Sequence, residues 1–210
     1  MMRKFIYFAV LFFGVVLVYE TYAVVNAYKT LPQKFKPYIS VSMSKIGLNK
    51  ERQDMLIKIQ DPSFFEHSGI QWPSPLTTTT ITQSLVKKLF FKKFTKGFKK
   101  IEQTLIARFV VNQNISKELQ LIAFVSTAYF GTKDGKQLFG FENASKALFD
   151  KSLSKLNDDE YLQLIAMLPA PNILKPNTLK SKERVKRIKK VLDGKCIHNH
   201  VSKIFLEQCS

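Results

Sequence analysis

The sequence predicts a mostly α-helical domain carried behind an N-terminal membrane-spanning helix. Three observations support this class. Residues 5–19 read FIYFAVLFFGVVLVY, with no charge among them. From Asn49 onward, apolar positions recur at helical spacing behind capping residues. No long stretch alternates apolar and polar residues as a half-buried strand does, and no repeat or low-complexity tract interrupts the pattern.

The first element, residues 1–28, reads as an anchor. Residues 5–19 alone fall short of the roughly 20 that cross a bilayer. Reading on through TYAVVNAY to Tyr28, with Glu20 near one interface, supplies the length. Tyr19, Tyr22 and Tyr28 suit the interfacial belt, and Arg3 and Lys4 favour a cytoplasmic N-terminus. The alternative is a cleaved signal peptide with Ala23 or Ala27 before the cut. Either way the remainder faces the outside of the inner membrane.

Residues 29–48 read as a connector, 49–195 as the domain and 196–210 as a tail. Asn49 caps a helix with Met55, Leu56 and Ile59 on its apolar side. A loop follows, punctuated by Pro73 and Pro75. TTTTITQSLVKKLFF (77–91) begins the next helix, its threonine hydroxyls placed to accept from free backbone N–H groups. KKIEQTLIARFVV and SKELQLIAFVSTAYFG predict two more. Asn157 and Glu160 have capping-box spacing, and Pro169 and Pro171 end that helix. Ser181 is the expected cap of a last helix closed by Gly194. In the tail, Cys196 and Cys209 form a disulfide or remain two free thiols on a mobile segment. His198 and His200 lie near Cys196, but the spacing matches no strong metal-ligand pattern, and no metal site is expected.

With 45% hydrophobic residues the chain can bury a core, which excludes wholesale disorder. Its net charge of +17 calls for an anionic partner: nucleic acid, an anionic membrane surface or a phosphorylated substrate. VKKLFFKKFTKGFKK (86–100) interleaves seven lysines with four phenylalanines. That pattern suits anionic headgroups with aromatic rings dipping among them. Beside a membrane anchor, lipid-phosphate contact is favoured over nucleic acid, which an exported domain rarely meets.

Five stretches then read together. QDPSFFEHSG (60–69) resembles the Glu-Asp-x-x-Phe-x-x-His-x-Gly motif of the family 51 glycosyltransferases, the peptidoglycan glycosyltransferases. TTTTITQSLVKK (77–88) resembles their second motif, with Thr80, Ile81, Thr82, Gln83, Leu85 and Lys87 matching directly. KKIEQTLIA (99–107) resembles the third, SKELQLIAFVSTAYFG with GFENASKALFDK the fourth, and LNDDEYLQLIAMLPAPN the fifth. Together they cover about residues 50–192.

The resemblance implies a lysozyme-like helical fold with a small membrane-associated jaw. It implies a bacterial inner-membrane protein, single-pass, with its domain on the outer face. Lipid II and the growing glycan strand are the implied partners, with cell-wall synthesis proteins beside them. The implied reaction polymerises lipid II: a base takes the acceptor 4-hydroxyl proton, the oxygen attacks the donor's anomeric carbon, and undecaprenyl pyrophosphate leaves. A divalent cation, Mg or Mn, at the pyrophosphate is the one cofactor considered.

By this resemblance Phe64, His67, Thr79, Thr80, Gln83, Lys87, Lys99 and Lys100 are the substrate-binding candidates. The lysines are expected on the pyrophosphate, and His67 is expected to tie the motif turn. The catalytic positions depart from the family. Gln60 stands where the family has its catalytic glutamate, and Gln103 where it has the second in the register that also aligns Ala107; a one-residue shift puts Glu102 there instead. An amide takes no proton at neutral pH. Ser84, Lys88 and Ser126 also replace family residues, and Thr77 and Thr78 replace its glycines. Asp61, Glu66 and Glu102 are the available carboxylates. Three functions therefore stand: a lipid II polymerase with Asp61 or a neighbour as base, an impaired relative that binds lipid II or glycan and scaffolds or regulates wall synthesis, or a basic membrane-surface module that keeps only the fold.

Overall fold

A computed structural model describes residues 2–73, 76, 78–95 and 97–210. Pro75, Thr77 and Lys96, which the sequence assigned to the loop, the second motif and the basic-aromatic run, lie outside the described residues.

The long apolar helix α1 spans Met2–Phe35. It passes the end expected at residue 28, so much of the expected connector is helix. The reason is burial: Ala27, Leu31 and Phe35 recur at intervals of four, on one face, and are 3%, 5% and 1% exposed. Upstream, Tyr7, Leu11, Val18 and Tyr22 stand bare on the surface. The single helix thus has an unpartnered apolar half and a half docked on the domain. Short helix α2 (Met43–Ile46) follows, capped by Ser42 and ended by Gly47 in the left-handed region.

The domain packs α3 (Lys50–Gln60), α4 (Ile81–Phe90), α5 (Phe98–Ile106), α7 (Lys117–Thr127), α8 (Phe141–Phe149), α9 (Asp158–Met167) and α10 (Leu179–Leu192) around one core. Between α5 and α7 the chain runs through a π-helical turn, Ala107–Val111, and a brief α6 (Asn112–Asn114). Asn49 caps α3, and Asn157 and Glu160 form the expected capping box on α9. Ser181 is not the cap of α10: Thr178 is, and its hydroxyl accepts from Ser181 N–H, leaving Ser181 buried in the first turn. Tyr161 anchors α9 to α3 by donating to Arg52 O at 2.7 Å while its ring packs against Phe141.

One small sheet interrupts the helices. Strands β1 (Tyr129–Lys133) and β2 (Lys136–Phe139) pair antiparallel around Asp134–Gly135, both at positive φ. An Asp-Gly pair is the turn that a two-residue hairpin asks for.

The C-terminal segment is docked, and of the two alternatives for its cysteines the structure has the disulfide. Cys196 and Cys209 are disulfide-bonded, and Leu206 and Cys209 are buried.

Candidate functional site

The first motif is a turn tied from inside. α3 ends at Gln60, and Asp61 follows with no exposed surface. Its Oδ1 and Oδ2 lie 2.9 and 3.0 Å from His67 Nε2, and Oδ2 also accepts from Ile81 N–H at 2.9 Å. Gly69 N–H donates to His67 Nδ1 at 3.1 Å, which leaves the ring hydrogen on Nε2, facing the carboxylate. Ile81 opens α4, so the carboxylate sits at the positive end of that helix. Gly69 is required here twice over: its φ is +84°, and a Cβ would come within 2.6 Å of Ala107 O.

The second motif caps this turn. Thr80 Oγ accepts from Gln83 N–H, Gln83 Oε1 accepts from Thr80 N–H, and Thr80 Oγ donates to Gly69 O at 2.7 Å. Gln83 Nε2 donates to Thr104 Oγ at 3.1 Å. Lys117 Nζ donates to His67 O from behind and lies over the Phe64 ring. Burial lowers its amine to about 8, against the pull of Asp61 in the other direction.

Two clefts adjoin this framework. The larger, about 820 Å³, is lined by Gln60, Thr78, Thr79, Ser84, Lys87, Lys88 and Lys92, by Tyr129, Gln137 and Phe139 of the hairpin, and by Val201, Ile204 and Phe205 of the tail, among others. The smaller, about 760 Å³, is lined by Leu76, Thr79, Lys87, Phe94, Phe98, Lys100, Ile101 and Gln103. Thr79, Lys87 and Phe94 belong to both, so the clefts meet at Lys87.

Lys100 Nζ donates to Thr78 O at 2.6 Å and to Thr79 Oγ at 3.4 Å. Burial, and then the neighbouring charge of Lys87, lower its amine to about 8. Lys88 lies 3.1 Å from the Phe139 ring centroid, and burial lowers its amine too. These cations face a cavity in which no described lining residue is a carboxylate. Such a site attracts an anion and offers a substrate hydroxyl no carboxylate base.

The candidates divide sharply. Gln60 is 8% exposed, lines the larger cleft, and has a buried Oε1 without a partner. Gln103 lines the smaller one, donates Nε2 to Gln83 O at 2.5 Å, and leaves Oε1 unpartnered. Thr79, Lys87 and Lys100 line the smaller cleft. Phe64, His67, Thr80 and Gln83 do not: Phe64, Thr80 and Gln83 have no exposed surface, and all four are spent on the turn and core. Lys99 lies over the Phe91 ring and lines neither cleft.

The available carboxylates are also turned away. Asp61 has both oxygens engaged, and Glu66 is exposed on the turn and lines neither cleft. Glu102 faces α1, where Tyr19 OH donates to it at 3.4 Å. The cavity also fails to suit a divalent cation held by the protein, since Mg and Mn take oxygen ligands and the charged lining here is lysine. Among the described residues no three His, Cys, Asp or Glu side chains converge. Cys196 is in its disulfide, while His198 and His200 lie against the carbonyls of Ile59 and Trp72.

Sequence reading missed the hairpin and tail residues of the larger cleft. The signal for the first was the Asp134-Gly135 pair between short apolar runs. The tail had only its two cysteines to mark it, and their closure says nothing about where the loop docks.

Comparison with known proteins agrees with this architecture. The Transglycosylase family model matches residues 30–194. The chain is 28% identical over 137 residues to penicillin-binding protein 1B of Haemophilus influenzae, covering 59% of this chain and 17% of that protein. It is 27% identical over 161 residues to the biosynthetic peptidoglycan transglycosylase of Bordetella avium, covering 68% of this chain and 64% of that one. To the protein of the same name from Alcanivorax borkumensis it is 28% identical over 128 residues, covering 54% and 50%. It thus spans under a fifth of the first relative and under two-thirds of the other two. With its first two motifs built into one capped turn and its match running over most of its length, the chain belongs to the Transglycosylase family, the peptidoglycan glycosyltransferases.

Proposed function

We propose that this chain is a binding member of its family, holding lipid II or a glycan strand that ends in the same lipid pyrophosphate, without polymerising it. The carrying observation is the composition of the clefts: lysines at 87, 88, 92 and 100, and no carboxylate among the described lining residues. The cations suit a pyrophosphate. Glycosyl transfer also needs a group to accept the attacking hydroxyl's proton, and Gln60 and Gln103 present amides. Loss of a positioned base lowers rates about 10²–10⁴-fold. A polymerase using Asp61 would have to break the turn that holds α4, and one using Glu102 would have to reach across α5.

The N-terminal helix serves as an uncleaved anchor in this reading. Tyr19 bonds Glu102, and Ala27 is in the core, so residues at or before both candidate cleavage points already contact the domain. The site then lies at the outer face of the inner membrane, where it scaffolds or regulates the proteins of wall synthesis. Nucleic acid has no place there.

Fluorescently labelled lipid II tests this directly. The full-length protein in detergent should bind it saturably and yield no glycan chains on gels at high protein concentration. Chains formed by the unaltered protein would overturn the reading.

A further inference from the structure

Residues 196–210 lie beyond the stretch that matches the family, yet they contribute to the larger cleft. The disulfide closes them into a loop. His198 Nε2 donates to Ile59 O at 2.9 Å, one residue before Gln60. Val201 N–H donates to Gln71 Oε1 at 3.0 Å, and Gln71 Nε2 donates to Asn199 O at 3.3 Å. His200 Nε2 donates to Trp72 O at 3.3 Å. The loop is therefore fixed relative to the first motif and to Gln60.

From this fixed loop Val201, Ile204 and Phe205 line the cleft. Phe205 is 46% exposed, so its ring is open to a ligand in the cleft. Its ring centroid lies 5.8 Å from the guanidinium carbon of Arg184. Arg184 is only 3% exposed and donates Nε to Ala166 O at 3.0 Å, so the brace itself is immobile.

The position of this wall relative to the membrane helix says which part of a ligand meets it. α1 packs against α5, and α5 carries the Lys100 and Ile101 that line the smaller cleft. α1 also touches α4, which carries Ser84 and Lys88 of the larger cleft, but it packs more extensively on α5. The larger cleft runs from Lys87 toward the hairpin, Pro171 and the tail. On the lipid-pyrophosphate reading, a pyrophosphate held at the Lys87 junction would direct its lipid toward the smaller cleft and its saccharide into the larger.

We propose that the disulfide-closed tail is a saccharide-recognition wall, with Phe205 presenting its ring to the apolar C–H face of a sugar and the half-buried Ile204 beside it. This rests on the lipid-pyrophosphate reading given above. The attraction is dispersion plus the pull of the ring's negative face on C–H hydrogens, and it requires a ring held in place. The disulfide and the Arg184 contact hold it.

The test compares lipid II with undecaprenyl pyrophosphate, which has the phosphates and lipid but no sugar, using full-length protein in detergent. Phe205→Ala should weaken lipid II binding roughly three- to tenfold and leave undecaprenyl pyrophosphate unchanged. Phe205→Tyr should retain lipid II binding. Reducing the disulfide in the unaltered protein should reproduce the selective loss, with circular dichroism confirming that the helices persist. Lys87→Ala should weaken both ligands. If Phe205→Ala leaves lipid II binding intact, or lowers both ligands alike, while Lys87→Ala weakens both, the wall is overturned and the pyrophosphate site stands. If the unaltered protein binds neither ligand, or Lys87→Ala affects neither, the pyrophosphate reading falls and the wall falls with it.

Discussion

Gln60 and Asp61 are adjacent in the chain and belong to different parts of the molecule. Asp61 is wholly buried, and its oxygens serve His67 and the first N–H of α4. Gln60 lines the larger cleft with an amide oxygen that nothing engages. The same division extends beyond this pair. Thr80, Ile81, Thr82, Gln83 and Leu85 match the family's second motif and are at most 1% exposed. Ser84, Lys88 and Gln60 depart from the family and line the larger cleft, and Gln103 departs and lines the smaller. Lys87, Lys100 and Pro169 run the other way, as matches that face a cleft, and Ser126 is a departure that lines neither. The resemblance is therefore carried mainly by residues that build the turn, while the departures gather on the surface a ligand would meet. A motif match of this kind certifies a scaffold more strongly than a reaction.

The comparison is most easily broken at its own centre. Asp61→Asn keeps the shape but presents an amide to the hydrogens of Ile81 and His67. Breaking a buried, charge-assisted network of this kind should cost about 3 kcal/mol of unfolding free energy. Gln60→Ala should change it by less than about 1 kcal/mol, because the lost oxygen has no partner. Chemical unfolding of both variants in the same detergent measures the contrast. Equal losses would erase the distinction between framework and cleft.

Next in size is a gain of function. If the framework is intact and only the base is missing, Gln60→Glu should raise glycan polymerisation at least about 10²-fold over background. Labelled lipid II and gel separation of chains provide the readout. An inert Gln60→Glu variant that still binds lipid II would place a second defect at Gln103 or in the cleft lining, and Gln60→Glu combined with Gln103→Glu would then be the variant to make.

The helices were legible because their signals are local. Asn49, Asn157 and Glu160 cap the helices they were expected to cap, since a capping side chain and its target N–H lie within one turn. The end of α1 was not legible, because it depends on Leu31 and Phe35 meeting a surface distant in sequence. The site was legible by name and not by role. Thr80 and Gln83 have the chemistry of ligand-binding residues, and only the fold shows that each is consumed by the other and by Gly69 and Thr104. Phe205 had no local signal at all: its position follows from a disulfide and from bonds to Ile59, Gln71 and Trp72 more than 100 residues earlier.

The smallest effect separates cleft from framework by charge alone. Lys100 and Lys117 are both lowered to about 8, one in the smaller cleft and one behind the motif turn. An amine is charged below its pKa, so both carry charge at pH 7 and have largely lost it by pH 9. Loss at Lys100 removes a cation from the anion's surroundings, while loss at Lys117 alters only the support of His67 O. Lipid II binding at low salt should therefore weaken roughly two- to fivefold between pH 7 and 9, with its midpoint near 8. Lys100→Arg keeps its charge across this range and should flatten the curve. If the Arg variant shows the same inflection, the cation whose titration governs binding is not Lys100.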